Sequence, residues 1–492
     1  MATVYIMQEI NPLAAACVCA SLVLFFVAAV SPRMGLFVLL LVAAYSDLLK
    51  RMLVFWGSLS FEQVSYVLAA GPLVVAGLFV AVITRWAFHR VEIRKRDVLL
   101  VLAIGGVMAV NFFLSKRGHA ETLEAMKDAA NRGLYLMAAP IALKILEEPA
   151  EIEKFVRMAR LWFIPVAAYG IFQSIFGLAD FEIEYLKSGL TIMVKELWDV
   201  RPKPFSTLNS AGTFGTLTAA FAVMALYPLV VKSRQRVLLG EKCLSIGLFL
   251  LYLAASVVSM VRASLVVWIV ALIGLWCFGS RLRTRVFYWA AGASFAALLA
   301  ASPYLLDHLA EWDPAANAQS EFAGQALRLQ TYSERLKGFV NLTRSTEMYS
   351  LFGLPEDKKM TETTYNHDPI SSLLVDAGIV GLGVAATVLV VGLRFLHKRL
   401  LGLPSGPNRD LAVLLIAIDT GWLASHLLFH GVLTSFPVNL FFWLFAGMAG
   451  FLLLWTEPEA PETAPDSAAS PEPRWARAPQ TRPALVHAAK RS

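Results

Sequence analysis

Apolar residues fall along this chain in runs too long for the helices of a water-soluble fold. The runs Leu13–Val30, Val64–Val82, Thr207–Val231, Leu244–Met260, Ile370–Leu393 and Leu411–Leu428 each carry at most one charged residue. A hydrocarbon core about 30 Å thick is crossed by roughly 20 residues of helix, so each run predicts a span. Segments 97–114, 132–147, 161–178, 262–279, 286–302 and 437–455 read the same way. The pattern predicts an all-α, polytopic membrane helix bundle of about 12 or 13 transmembrane helices. The doubtful member is 34–48, which is short and ends in Ser46-Asp47. It reads as a span, a half-span or an interfacial helix.

Polar connections interrupt the rhythm in four places. Ser115–Asn131 has the pattern of a short surface helix, and Asp180–Pro204 mixes aromatic with charged residues. Pro303–Pro369 is the longest connection, and loops of that size are usually functional or disordered. Within it, 323–342 has helical composition, with Leu327, Leu329, Leu336 and Phe339 as its apolar positions. The proline-rich piece Glu457–Ser492 lacks the apolar surface to order itself, which predicts a disordered cytoplasmic tail. The expected organisation is thus one transmembrane domain over 1–455, with a large outer loop at 303–369, followed by a tail at 456–492.

Composition agrees: 57% of the 492 residues are hydrophobic and 16% are charged, where a soluble domain carries about 25% charged residues. The net charge of +7 would suit nucleic acid, but its placement excludes that partner. Bases outnumber acids in the short connections Arg85–Asp97, Val231–Lys242, Ser280–Arg285 and Arg394–Arg409, whereas acids outnumber bases in Pro303–Pro369. Basic connections stay cytoplasmic, which puts the long loop on the outer face. Glu147–Arg160 breaks the alternation, holding more acids than bases. The four cysteines, Cys17, Cys19, Cys243 and Cys277, have neither disulfide nor zinc spacing. No basic segment precedes the first apolar run, so it is expected as a retained helix and not a cleaved leader.

Candidate chemistry gathers on the outer side. Arg262 stands in Ser259-Met-Val-Arg262-Ala-Ser264, a tight turn between two spans. It either snorkels to headgroups or offers its rigid fork of donors to phosphate oxygens. Arg201 opens the stretch Arg201-Pro-Lys203-Pro-Phe205-Ser206-Thr207-Leu-Asn209-Ser210-Ala-Gly212-Thr-Phe-Gly215. Thr207, Asn209 or Ser210 can cap the helix that follows, and a helix amino terminus beside Arg201 and Lys203 favours an anion. His367, in Asn366-His367-Asp368-Pro369, stands just before a span and suits proton exchange near neutral pH. Arg328, Tyr332 and Arg335 share one helical face, which is either a solvated face or an anion-binding one. His426 and His430 lie four apart without a third ligand at helical spacing, so a polar helix contact is expected there rather than a metal. There is no Asp-x-Asp pair, phosphate-loop motif, Gly-x-Ser-x-Gly elbow or His-Glu-x-x-His, so nucleotide hydrolysis and metal proteolysis have no support.

Three of these segments together resemble the O-antigen ligase and polymerase superfamily, over roughly residues 200–395. They are the Arg201–Gly215 helix start, the Ser259–Ser264 turn, and the His367-Asp368 motif running into Leu374-Val-Asp-Ala-Gly378-Ile379-Val-Gly381. Where many members carry His-Asn, this chain carries His367-Asp368. The resemblance implies a multi-pass enzyme of the bacterial inner membrane. It implies transfer of a glycan from undecaprenyl diphosphate to a glycan or a lipid A-core acceptor, with inversion and with no metal or other cofactor. Arg201 and Arg262, with Arg328 or Arg335 as further candidates, would hold the diphosphate. His367 would assist the acceptor hydroxyl or contact phosphate. The rivals are a flippase for lipid-linked oligosaccharide and a non-catalytic assembly factor of an envelope complex.

Overall fold

The computed structural model describes residues 11–188, 203–230, 238–309, 350–353, 369–429 and 432–454 together with Val340, less positions 58, 96, 100, 103, 107, 108 and 110–133. The described residues form helices and connections only. Seven helices are long and apolar enough to cross a membrane, which makes the chain a multi-pass membrane protein. Shorter apolar helices, Leu134–Ile145, Arg262–Cys277 and Val438–Leu454 among them, pack with the seven. The helices used below are α1 (Pro12–Val30), α2 (Pro32–Gly57), α3 (Phe61–Leu68), α4 (Ala70–Ala87), α5 (Ala138–Ile145), α6 (Pro149–Trp162), α7 (Ile164–Phe176) and α8 (Asp180–Lys187). After them come α9 (Ala211–Ala225), α10 (Tyr227–Val230), α11 (Leu239–Val258), α12 (Arg262–Cys277), α13 (Arg281–Leu309), α14 (Pro369–Gly402), α15 (Pro407–Leu428) and α16 (Val438–Leu454). Apart from Val340, the helix expected over 323–342, the surface helix at Ser115–Asn131 and the tail at 456–492 lie outside the described residues.

The bundle is built around α9, whose side chains are buried along nearly its whole length. Its alanines and glycines let α11, α12 and α15 approach closely, the way helices associate where lipid removes the hydrophobic incentive. Phe163 stacks on Phe221 of α9 at 4.5 Å between ring centroids, and Phe441 meets both rings edge-on. Trp422 of α15 donates its indole N–H to the Thr216 carbonyl at 3.1 Å, joining α15 to the same helix.

Segment 34–48 is resolved as part of α2, which continues through Asp47, Lys50 and Arg51 to Gly57. Those charges do not end the helix because they find partners inside the protein, as described below. The irregular acids of Glu147–Arg160 also have a physical reason. Glu147 accepts from Arg33 at 2.7 Å and from Arg85 at 3.0 Å, Glu151 pairs with Arg33 at 2.5 Å, and Lys144 pairs with Asp97 at 2.6 Å. The acid excess there is balanced by bases from other connections.

This ion-pair belt marks one end of the bundle. Arg51 lies 18 residues along α2 from Arg33, about 27 Å at about 1.5 Å per residue, close to the thickness of a hydrocarbon core. The chain returns to the belt end through α12, after which Arg409 donates to the Gly279 carbonyl at 3.1 Å. The connections following α4, α12 and α14 thus share one end, the basic one.

The span expected at 370–393 proves to be two helices. Gly378 has φ 68° and ψ −168°, a conformation open essentially to glycine alone, and breaks α14 there. The amides freed by the break are satisfied from the long connection: Ile379 N–H donates to the Ser350 carbonyl at 2.9 Å and Val380 N–H to that of Leu351 at 3.2 Å. A Cβ at Gly378 would lie 2.4 Å from the Leu351 oxygen. Gly378→Ala is therefore expected to lose about 1–3 kcal/mol of stability from the backbone conformation alone. A thermal melt in detergent reads this as a lowered Tm, and an unchanged Tm would contradict the break.

Candidate anion site at the non-basic end

The segment 203–210 leads into α9 without being helical, and Phe205, Ser206, Thr207, Leu208 and Ser210 are each tied down by a specific bond. Arg51 reaches it from α2: Nη2 donates to the Ser206 carbonyl at 2.7 Å and to the Leu208 carbonyl at 3.4 Å. The guanidinium carbon lies 4.6 Å from the centre of the Phe205 ring. Gln173 accepts on Oε1 from the amides of Phe205 at 3.2 Å and Ser206 at 2.6 Å. Thr207 donates its hydroxyl to the Ala44 carbonyl at 2.6 Å, and Ser206 donates its own to Val166. Ser206 is held at φ 57°, a left-handed conformation that these bonds over-determine. Ser210 is the helix cap: its Oγ accepts from Thr213 N–H at 3.1 Å, closing the choice among Thr207, Asn209 and Ser210.

Glu182 on α8 completes this buried network. Its Oε1 accepts from Arg51 Nη1 and from Gln173 Nε2, both at 2.7 Å, and its Oε2 accepts from the Ala179 amide at 3.1 Å. Arg51 is 2% exposed and Glu182 0%, so water competes for neither. Burial pushes the Glu182 carboxyl above its ordinary range, while Arg51 and the amide donors pull against that rise. Lys50, paired with Asp47 at 2.6 Å, lies alongside over the Tyr185 ring.

The Ser259–Ser264 turn meets the start of α9. A Cβ at Gly215 would fall 2.4 Å from Ser259 Oγ and 3.1 Å from Val261 Cβ, so a larger residue would force the Ser259 side chain to shift. Ser256 Oγ donates to the Gly215 carbonyl at 3.4 Å. Within the turn, Ser259 Oγ donates to Ser256 O at 2.6 Å and accepts from Val261 N–H at 3.3 Å, while Ser264 Oγ donates to Val261 O at 2.5 Å. Both serines serve the turn itself. Arg262 is the first helical residue of α12 and is half-buried. From α15, Ser425 donates to the Ala263 carbonyl at 3.0 Å. That contact brings the next residue, His426, to the same end, where its Nδ1 accepts from Leu433 N–H at 3.4 Å.

Two of the three sequence segments, Lys203–Gly215 and Ser259–Ser264, therefore converge, on the end of the bundle opposite the basic connections. Gly215, one turn into α9, lies against Ser259 and Val261, which immediately precede Arg262 at the start of α12. Helix dipole ends of this kind, with a guanidinium beside them, favour an anion. Arg201, Arg328, Arg335 and His367 lie outside the described residues, as do Asn366, Asp368 and His430. Among the described residues no three His, Cys, Asp or Glu side chains gather in a way that could hold a metal ion.

Sequence reasoning read Asp47 only as the end of a doubtful helix and passed over the other polar residues that build this end: Lys50, Arg51, Gln173 and Glu182. One signal was available. Asp47, Lys50 and Arg51 are spaced i, i+3 and i+4 inside an otherwise apolar stretch, which puts three costly charges on one helix face.

Comparison of the chain with protein-family models and with curated proteins finds no match.

Proposed function

We propose that this protein is a membrane glycosyltransferase of the O-antigen ligase or polysaccharide polymerase type. It transfers or polymerises an undecaprenyl-diphosphate-linked glycan on the periplasmic face of a bacterial inner membrane, with a glycan or a lipid A-core as acceptor. The observation that carries this reading is the meeting of Lys203–Gly215 with Ser259–Ser264 at the non-basic end, since these segments bear two of the three motifs behind the family resemblance. The positive-inside rule makes that end periplasmic.

In the proposed mechanism, Arg262 and Arg201, with Arg328 or Arg335, bind the diphosphate through charge-assisted bonds and stabilise the charge that develops as it leaves. The acceptor hydroxyl attacks the anomeric carbon from the opposite face, which inverts it. The bond from that carbon to the diphosphate oxygen breaks, and His367 takes the hydroxyl proton. The lipid tail stays between helices while the sugars meet at the membrane surface. The chemistry asks for no metal.

A second reading, a flippase for the same lipid-linked glycan, is favoured by one feature. Gly378 breaks the helix at the start of the span Ala377–Gly402, and broken helices are common in transporters. One experiment separates the two readings: purified protein in vesicles, given lipid-diphosphate-linked glycan and candidate acceptors, with and without a divalent-metal chelator. Transfer that survives the chelator is expected, and the productive acceptor tells ligase from polymerase. Glycan movement across the bilayer without transfer would establish the flippase instead. Activity abolished by chelator and restored by one metal would overturn the arginine mechanism.

A further inference from the structure

At the basic end, far from the site above, α13 and α14 diverge around a groove of about 1100 Å³. Arg281 and Arg285 line it from α13, and Arg394 and Lys398 from α14. All four are exposed, and among the described residues that line the groove there is no carboxylate. Four like charges gathered in one groove are poised for an anion. His397 lies between them with its Nδ1 buried and unpartnered, edge-on to the Tyr288 ring.

The groove changes character along its length. Trp289 is two turns into α13 from Arg281, and Val390 is one turn into α14 from Arg394, counted away from the basic end. Trp289 is 81% exposed and Val390 48%, and Leu393 lines the wall between them. The α14 segment from Ala377 to Gly402 buries none of its most apolar stretch against the rest of the protein. The lining is thus cationic at the membrane boundary and apolar toward the membrane interior, the polarity of a single amphiphile. A soluble anion would use the first part and leave the second wet.

We infer that this groove binds an anionic phospholipid, its phosphate held by Arg281, Arg285, Arg394 and Lys398 and its acyl chains laid along Trp289 and Val390. Basic pockets between membrane helices on the side of the basic loops are where anionic headgroups bind. Each Lys or Arg near such a headgroup contributes about 1 kcal/mol.

Native mass spectrometry of the full chain in detergent tests this, titrating phosphatidylglycerol against phosphatidylcholine. Preferential retention of phosphatidylglycerol is expected, with binding weakened about thirtyfold in the double variant Arg285→Gln/Arg394→Gln. Arg90→Gln, which removes an exposed base of another connection at the same end, should leave retention unchanged. Arg285→Lys/Arg394→Lys should restore most of it, which separates a lost charge from a damaged fold. Equal retention of the two lipids, or loss equally large in Arg90→Gln, would overturn the proposal. So would glycerol phosphate displacing the lipid at matching concentration, because the apolar half of the groove would then contribute nothing.

Discussion

Arg262→Ala is expected to slow glycan transfer by about 10² to 10³, the usual effect of removing one donor that stabilises developing charge, with the protein still folded. The separation of effects follows from the bonding in the turn. Ser259 and Ser264 make the side-chain hydrogen bonds that close it, and Ser425 ties its Ala263 carbonyl to α15. Alanine is also a strong helix former and does not oppose the start of α12. Arg262→Lys should recover only part of the rate, because an ammonium keeps the charge but not the planar fork that matches a diphosphate. His367→Ala is expected to cost about 10² to 10⁴, the contribution of a positioned base. The check is single-turnover transfer from the lipid-linked donor beside a thermal melt of each variant. Full activity in both alanine variants would mean that Arg262 only snorkels to headgroups and that the chemistry lies elsewhere.

Much of the architecture was legible because its determinants are local. The length of an apolar run fixes whether it spans, and the signs of the connecting loops follow from short stretches of sequence. The alternation of basic connections corresponds to a real end of the bundle, where Arg33, Arg85, Lys144 and Arg409 all make their bonds. What was not legible depends on distant partners. Asp47 looked like the end of a doubtful helix, yet α2 runs past it because Arg51 finds Glu182, 131 positions away. The acids of Glu147–Arg160 looked like an exception until Arg33, 114 positions away, was seen to accept their charge. The break at Gly378 is invisible to hydropathy, since the residues on both sides stay apolar. The candidate site divides on the same line. Arg262 could be picked out as a charge between two apolar runs, and the role of Ser210 is a local capping rule. The Arg51–Gln173–Glu182 framework required knowing which segments touch.

That framework carries the second large expectation. Arg51→Ala and Glu182→Ala should each destabilise the protein by about 3–5 kcal/mol, because either leaves an uncompensated charge in a buried site. The combined replacement Arg51→Met/Glu182→Leu should cost far less than the sum, since removing both charges removes the penalty of stranding one. A double-mutant cycle of Arg51→Met, Glu182→Leu and their combination reads this non-additivity as melting or denaturant shifts in detergent. Transfer activity should behave differently from stability. With Arg51 gone, the carbonyls of Ser206 and Leu208 lose their donor and the Phe205 ring loses its cation, even when Met fills the volume. The segment entering α9 then keeps its bonds to Gln173, Ala44 and Val166 but is held less tightly beside the Arg262 turn. A misplacement of about 1 Å in a positioning element can cost about 10² in rate, so the double variant should fold well and transfer poorly. If the single variants each lost under about 1 kcal/mol, the ion pair would not be what fixes the segment. If the double variant were both stable and fully active, the segment would hold its place without Arg51, and the anion site would rest on the Ser259–Ser264 turn alone.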